Sequence, residues 1–255
     1  MNDTPFERPR LHTNSQTVSL SFESSLIQSC MRLDAPDELV LDYTRAMMGF
    51  LLFNPAPRSI LMIGLGGGSM LKYMHKHLPD ADLTVVEINQ DVIDMRHDFL
   101  IPPDSDRLRI VCDDGARFVR KPPHTYDVIL VDGFTGQGLP EALCSRSFYQ
   151  HCRAALNPGG WLVANVQADT EQTREVMRRL GKAFAGALIS AESDEGGNDI
   201  AIAGSAEGLA QGLARFEANW ASLTPVHQQI LAVSSSRFQR ALLKSVRLSV
   251  PPPAA

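Results

Sequence analysis

Cysteine is scarce in this chain, and its spacing argues against two common kinds of site. The 255 residues include four cysteines: Cys30, Cys112, Cys144 and Cys152. They show no C-x-x-C spacing of the kind found in zinc or redox sites, and they indicate no disulfide framework. His75 and His77 alternate on a predicted helix instead of standing one turn apart, so they do not indicate a shared metal site either. We therefore expect no metal, and a reducing compartment such as the cytoplasm.

Long apolar runs and an excess of positive charge are also missing. No segment approaches the roughly eighteen consecutive apolar residues of a membrane span, and the polar N-terminal segment lacks the apolar core of a signal peptide. The formal net charge is −5, which gives no basic footprint for a polyanion. The sequence therefore predicts neither membrane nor nucleic acid as a partner, and the acidic balance favours a positively charged substrate.

Composition and periodicity divide the chain into one α/β domain with smaller flanking segments. Alternating residues from Thr17 predict a β-hairpin whose turn falls at 23–25, and a helix begins near Pro36. The amphipathic C-terminal helices either cover the sheet or form a homodimer contact. The predicted segments are a flexible tail (1–16), a small β-hairpin and helix appendage (17–57), the α/β domain (58–204), C-terminal helices (205–245) and a disordered tail (246–255).

The α/β domain opens with an apolar run that stops in a cluster of glycines, SILMIGLGGGS at residues 59–69. The run predicts a strand buried on both faces, and the segment after it predicts a helix. Gly64, Gly66 and Gly68 would supply a turn without side chains that lets the backbone approach a ligand. Such a turn at a helix N-terminus predicts a cradle for a nucleotide or nucleoside, although glycine turns also occur for packing alone.

Acidic residues at the ends of the next two predicted strands support the nucleoside interpretation. Glu87 lies about twenty residues beyond the glycines, where a carboxylate can accept hydrogen bonds from ribose hydroxyls; the alternative is a solvated acid. Asp113, Asp114 and Gly115 follow the third strand, beside the glycine turn of a doubly wound sheet. One aspartate could accept from an adenine amine while the other caps the following helix. The sequence leaves open which aspartate does which.

The fourth predicted strand, YDVILVD, delivers Asp132 to the loop GFTGQGLPEAL. An acid at this point of the sheet faces the reacting part of a ligand, so Asp132 is the catalytic candidate. The glycines of the loop predict a lid over the substrate, with a plain connecting loop as the alternative. A fifth βα unit, a further helix and an antiparallel strand pair at the sheet edge complete the predicted domain.

This order of elements resembles the Rossmann-like, seven-stranded sheet of S-adenosylmethionine-dependent transferases, with helices on both faces. Within that group, residues from about 25 to 204 resemble the spermidine synthase (polyamine aminopropyltransferase) family. The motifs that carry the resemblance are LIQS, NPAPRSILMIGLGGGS, VVEIN, DDGARFV, YDVILVD and SFYQHCRAALNPGG, together with the helix that contains Tyr43.

The resemblance implies a sulfonium nucleoside as co-substrate, either S-adenosylmethionine or its decarboxylated form, in polyamine biosynthesis. It would place Glu87 at the ribose, Asp114 and Gly115 at the adenine, Gln28 near the sulfur and Asp132 at the incoming amine. Two further residues, Tyr43 and Thr135, are candidate substrate contacts.

The chain departs from the family pattern at three positions. The family's glycine turn usually reads GGGDGG, and Gly67 stands where the family has the acid that meets the amino group of decarboxylated S-adenosylmethionine. Thr135 stands in place of a second acid in the family's DSSDP loop, and Thr44 replaces a His or Gln. Each missing acid removes a charge-assisted hydrogen bond, about 1.5–3 kcal/mol. We therefore expect an amine acceptor other than putrescine, and a flattened preference between the two nucleosides.

Three functional hypotheses follow. The first is an aminopropyltransferase-like enzyme in which Asp132 takes or orients the proton of the attacking amine. The second is a methyltransferase that uses S-adenosylmethionine, and the third is a non-catalytic nucleoside-binding protein. Both transfer reactions depend mainly on proximity and alignment, so no required catalytic group separates the first two.

Overall fold

Two β-sheets of different size organise the chain. The computed structural model describes residues 7–22, 27–134, 138–168 and 170–249. The smaller sheet is antiparallel, and its strands are β1 (Arg10–Thr13), β2 (Thr17–Ser21) and β3 (Ile27–Arg32), in that spatial order. The predicted hairpin is present as β2 and β3, and its predicted turn at 23–25 lies outside the described residues. Strand β1 pairs with β2, and β1 lies within residues 1–16, the segment that composition predicts to be a flexible tail.

Helical structure follows the small sheet but begins later than the pattern predicts. Instead of a helix from Pro36, the chain forms α1 (Asp42–Met47) and continues as a 3₁₀ helix, Met48–Leu52. Arg45 helps to fix the approach to α1, because its guanidinium donates to the carbonyl oxygens of Leu39 and Val40. The turn from Met47 to Leu52 is fully buried, so this segment serves as core beneath the sheet.

Alternating strands and helices between residues 59 and 203 build the larger sheet. Within the described residues it has seven strands in the order β6-β5-β4-β7-β8-β10-β9. The first five are parallel to one another, and β10 pairs antiparallel with both β8 and β9. These strands are β4 (Ser59–Ile63), β5 (Asp82–Glu87), β6 (Leu108–Cys112), β7 (Tyr126–Val131), β8 (Leu156–Gln167), β9 (Leu188–Glu192) and β10 (Asn198–Ala203). The predicted α/β fold, the seven strands and the antiparallel edge pair are confirmed.

The position of β4 in the middle of the sheet explains why its sequence is continuously apolar. Ile60 and Met62 point into the layer that contains α2, whereas Leu61 and Ile63 point into the opposite layer. All four residues are at most 3% exposed, because helices cover both faces of the sheet. The remaining helices are α2 (Ser69–His77), α3 (Gln90–Asp94), α4 (Gly115–Phe118), α5 (Glu141–Cys144), α6 (Arg146–Ala154), α7 (Glu171–Ala183), α8 (Ala206–Ser222), α9 (Pro225–Leu231) and α10 (Ser234–Ser249).

Three boundaries differ from the pattern. The sequence QDVIDMRHDFL at residues 90–100 predicts a helix, but α3 ends at Asp94, and the chain then turns through Leu100, which has a left-handed φ of 52°. The residues NPGG at 157–160, whose composition predicts a turn, lie within β8, where the pairing with β7 shifts register. Helix α10 continues to Ser249 and so includes part of the predicted C-terminal tail.

Candidate active site

The carboxyl ends of β4, β5, β6 and β7 meet at one edge of the sheet, beneath the small N-terminal sheet. They surround a cavity of about 610 Å³. Among the residues that sequence analysis singled out, those that line the cavity are Gln28, Tyr43, Gly64, Gly66, Glu87, Asp114, Gly115 and Asp132. Residues far apart in the sequence are therefore brought to one site, as the strand-end argument predicts.

The three glycines predicted to form the ligand turn differ in their roles: two face the cavity and one serves packing. Gly64 and Gly66 line the cavity with φ of 98° and 52°, and a Cβ on Gly64 would collide with the carbonyl oxygen of Asp132. Gly68 has φ of 65° and precedes α2, but a Cβ there would strike the Ile101 side chain. Gly68 is therefore required by conformation and packing, not by contact with the cavity.

Gly67, which the family pattern would place at the amino group of decarboxylated S-adenosylmethionine, is not among the residues that line the cavity. It is buried, and a Cβ built on it would lie 2.6 Å from Oγ of Ser29 and 2.7 Å from the ring of Phe99. A carboxylate therefore does not fit at this turn without displacing the Phe99 ring. The expectation that Gly67 flattens a preference between the two nucleosides loses its structural basis.

Glu87 lies at the end of β5 and is 8% exposed. Its Oε2 accepts the backbone N–H of Leu65 at 2.9 Å, and its Oε1 accepts that of Asn89 at 2.9 Å. Burial raises the pKa of the Glu87 carboxyl, while these backbone hydrogen bonds act in the opposite direction. The carboxylate is thus held rigidly against the glycine turn, with lone pairs left over for a ligand.

The two aspartates after β6 do not divide their roles as expected. Asp114 both lines the cavity and caps α4, since its Oδ1 accepts the N–H of Ala116 at 2.8 Å. Asp113 accepts from Nε of Arg117 at 2.6 Å and is not among the residues that line the cavity. Capping and contact with the cavity therefore fall to the same residue, Asp114.

Asp132 follows β7 and is half-buried at the cavity wall. Its Oδ1 accepts Nδ2 of Asn165 at 2.8 Å, and its Oδ2 accepts the hydroxyl of Tyr43 at 3.3 Å. Burial raises the pKa of the Asp132 carboxyl, and these two donors partly counteract that rise. Asp132 is thus a fixed acceptor whose affinity for a proton is raised.

The N-terminal appendage forms part of the cavity wall. Gln28 reaches it from β3, and Tyr43 and Thr44 reach it from α1. Burial, followed by the charge of Asp132, raises the pKa of Tyr43, so its hydroxyl stays protonated. Thr135, the other predicted substrate contact, lies outside the described residues.

Sequence reasoning missed the amides on the far side of the cavity. Asn165 and Gln167 come from β8, Asn198 is the first residue of β10, and Gly197 precedes it. Asn165 is 2% exposed in an otherwise apolar strand, WLVANV, and this misplaced polar residue is the signal that could have revealed it.

Two other kinds of site are absent from the part of the chain that the structure describes. The described residues contain no group of three or more His, Cys, Asp and Glu side chains placed to hold a metal ion. The helices that the structure describes include none that is both long enough and apolar enough to cross a membrane.

The strand order and the cavity at the carboxyl edge define a Rossmann-like α/β domain with a methyltransferase-type sheet. Comparison with known proteins narrows this class. The family model for the spermine/spermidine synthase domain matches residues 40–192. The polyamine aminopropyltransferase of Chromobacterium violaceum is 42% identical over 186 residues, which cover 72% of this chain and 71% of the relative. The chain belongs to the spermine/spermidine synthase family.

Solved structures agree on the fold. A probable spermidine synthase from Corynebacterium glutamicum superposes with a TM-score of 0.67 at 20% identity, covering 92% of this chain and 96% of the other. A spermidine synthase in complex with the transition-state analogue AdoDATO gives 0.59 at 22% identity, with 89% of each chain covered. The predicted family is confirmed, and the relatives support an aminopropyltransferase-like transferase over the methyltransferase and the non-catalytic binding protein.

Proposed function

We propose that this chain transfers an aminopropyl group from decarboxylated S-adenosylmethionine to a small amine. The relatives are named polyamine aminopropyltransferase, and the observation that carries the proposal is the pair of carboxylates, Glu87 and Asp132, on either side of the glycine turn. Gly64 N–H donates to the carbonyl of Val86, and Asp132 N–H donates to the carbonyl of Ile63, each at 2.9 Å. Both acids are therefore held beside the same turn.

The nucleoside fits the side of the cavity formed by β5 and β6. Glu87 would accept the ribose hydroxyls, and Asp114 with Gly115 would face the adenine. Ile27 and Ile88 line the cavity although they are 57% and 43% exposed, so apolar side chains are available to cover a base or a sugar. Gln28 would lie near the sulfonium end.

The transfer itself needs alignment and removal of one proton. The lone pair of the amine nitrogen attacks the carbon beside the sulfonium, a C–N bond forms, and the C–S electron pair returns to sulfur to give methylthioadenosine. The nitrogen then loses a proton to Asp132, whose raised pKa makes it a stronger base than an ordinary aspartate. Tyr43 and Asn165 hold the carboxylate in position during this step.

The acceptor side of the cavity offers a single carboxylate among the described residues that line it, Asp132. Its other polar groups are the hydroxyls of Tyr43 and Thr44 and the amides of Asn165, Gln167 and Asn198, beside the aromatic ring of Phe134. An amine that carries one ammonium group and a neutral polar group would match this lining better than a diamine such as putrescine. The family departure at Thr135 supports the same preference.

A product assay tests the function and the acceptor together. The purified chain would be incubated with decarboxylated S-adenosylmethionine and, separately, putrescine, spermidine or 4-amino-1-butanol, and products would be identified by mass spectrometry. We expect methylthioadenosine together with an aminopropylated amine. S-adenosylhomocysteine formed from S-adenosylmethionine would instead indicate methyl transfer, and a clear preference for putrescine would overturn the acceptor proposal. A homodimer and a cytoplasmic location stay predictions from the sequence.

A further inference from the structure

A chain of two side-chain amides ends on the candidate catalytic acid. Nδ2 of Asn198 donates to Oδ1 of Asn165 at 2.9 Å, and Nδ2 of Asn165 donates to Oδ1 of Asp132 at 2.8 Å. Asn198 lies at the start of β10, and Asn165 lies within β8, so the antiparallel pairing of these strands brings them together. The chain therefore connects the β9–β10 turn with the reacting end of the cavity.

We propose that Asn198 is a positioning residue that keeps Asp132 in its proton-accepting state by fixing the orientation of the Asn165 amide. The inference rests on the proposed function, in which Asp132 receives the proton of the amine. Asn198 acts through Asn165 and does not need to contact the substrate.

The direction of the chain follows from the chemistry of its end. An ionised carboxylate only accepts hydrogen bonds, so Asn165 must turn its NH₂ toward Asp132. Its carbonyl oxygen must then point away, and a donor must meet it there. Asn198 supplies that donor, and the two amides have consistent orientations only in this arrangement. A donor at position 198 thus favours the charged form of Asp132.

The backbone around Asn198 holds the donor in place. The turn before it uses Gly196 and Gly197 with φ of 80° and 84°, a conformation that favours glycine. Ser193 closes the turn, because its N–H donates to the carbonyl of Asn198 at 2.8 Å and its hydroxyl donates to the carbonyl of Gly196 at 3.0 Å. The Asn198 side chain therefore extends from a backbone that is held in place.

The charges around Asp132 make this donor chain consequential. Tyr43 donates to the second oxygen of Asp132, and its neighbour Asp42 accepts the N–H of Glu195 at 2.7 Å. Arg45 lies 4.0 Å from Glu195, and Asp199 follows Asn198 in the chain. Burial favours protonation of Asp132, whereas the hydrogen bonds from Asn165 and Tyr43 oppose it.

Asn198→Asp is the decisive substitution. A carboxylate at position 198 would accept from the Asn165 NH₂, so the Asn165 amide would turn and present its oxygen to Asp132. Two acceptors would then face each other unless Asp132 held a proton. We expect the Asp132 pKa to rise by about one unit or more, and the acid limb of kcat/KM to move to higher pH by the same amount.

Two further variants separate the effect of the Asn165 amide orientation from the effect of an added charge. Asn198→Leu removes the donor without adding charge, and we expect a smaller rise in the Asp132 pKa. Gln167→Glu adds the same charge as Asn198→Asp on the residue paired with Asn198 in the β8–β10 register. We expect Gln167→Glu to raise the Asp132 pKa less than Asn198→Asp does, because it leaves the amide chain intact.

The Asp132 pKa can be followed without turnover by ¹³C NMR of aspartate-labelled protein, with the Asp132 signal assigned from its loss in Asp132→Asn. An unchanged pKa in Asn198→Asp, or an equal rise in Gln167→Glu, overturns the inference. Absence of aminopropyl transfer by the parent chain would overturn the proposed function and leave this titration readable. Binding of methylthioadenosine checks that each variant is folded.

Discussion

Glu87 accepts the backbone N–H of Leu65, so the acid that sequence analysis predicts at the ribose also holds the glycine turn against β5. A strand-end acid adds little to the core, so the sequence pattern alone predicts that Glu87→Ala leaves the fold intact. The structure indicates otherwise, because the substitution also frees the N–H groups of Leu65 and Asn89.

The first prediction is that Glu87→Ala weakens binding of methylthioadenosine and also lowers thermal stability. Loss of hydrogen bonds to a charged acceptor suggests about 2–4 kcal/mol, or roughly a 30- to 1,000-fold higher Kd. Calorimetric titration and thermal unfolding measure the two effects. Asp113→Ala is the matched control on the next strand end, where we expect little change in Kd, and unchanged binding by Glu87→Ala would contradict the ribose assignment.

The second prediction concerns Asp132→Asn. This variant cannot take the proton of the amine, so we expect turnover to fall by on the order of a hundredfold or more while the Kd for methylthioadenosine changes little. Steady-state kinetics and titration separate the two quantities. Equal losses in turnover and in nucleoside affinity would make Asp132 a binding residue instead.

Tyr43→Phe serves as the companion variant, because it removes one donor to Asp132 but keeps the carboxylate. Without that donor the pKa of Asp132 should rise further, so the acid limb of the rate should move to higher pH. A profile identical to that of the parent would show that the Tyr43 contact does not act on Asp132.

Strand ends and their acids could be predicted from the sequence because they depend on local pattern. A buried parallel strand is a continuous apolar run, and its last residue falls at the ligand edge of the sheet, which placed Glu87 and Asp132 correctly at the cavity. The pairing of Asn165 with Asn198 could not be predicted in this way. It depends on the register between β8 and β10, and no local pattern sets that register.

Whether a glycine of the turn lines the cavity or packs inside the protein is equally hard to predict from a motif. Gly64, Gly66 and Gly68 all have positive φ, but only the first two line the cavity. Gly67 lies between Gly66 and Gly68 and packs against Phe99. Phe99 comes from a turn after α3 that the helical pattern did not predict. The family comparison supplied a role for this position, whereas packing decides what it can hold.

The third prediction follows from that packing. Gly67→Asp should destabilise the protein by about 1–3 kcal/mol or more, because the new side chain must displace the Phe99 ring or Ser29. It should not create a preference for decarboxylated S-adenosylmethionine. Denaturant unfolding and the ratio of the two nucleoside Kd values test both statements.

Gly181→Ala is the control for Gly67→Asp, because no atom outside its own helix lies within 4 Å of the added Cβ. In the last turn of α7 this change should stabilise by about 0.5–1 kcal/mol, because alanine favours the helix more than glycine does. A folded Gly67→Asp variant whose Kd ratio shifts tenfold toward the decarboxylated nucleoside would restore the hypothesis drawn from the family pattern.

The fourth prediction concerns Lys72, a buried lysine on α2 behind the glycine turn. Its Nζ donates to the carbonyl of Phe99 at 2.7 Å and lies 2.8 Å from the sulfur of Met31, so it joins α2 to both the turn after α3 and the small sheet. Burial lowers the pKa of Lys72 from 10.5 to about 8. The folded protein therefore releases this proton at a lower pH than the unfolded chain does.

Between pH 8 and 10.5 the unfolded chain holds the Lys72 proton and the folded chain does not, so the free energy of unfolding should rise with pH across this range, by about 3 kcal/mol at most. Lys72→Met should remove that rise, because no group titrates at position 72. Lys76→Met, one turn along α2 in an exposed ion pair with Asp37, should retain it. Urea unfolding at a series of pH values measures the free energy of unfolding of the parent and of each variant. In the difference between the two, the contributions of other titrating groups cancel. If the parent and Lys72→Met show the same slope, the lysine is solvated in the folded state, and it does not join the small sheet to the back of the glycine turn.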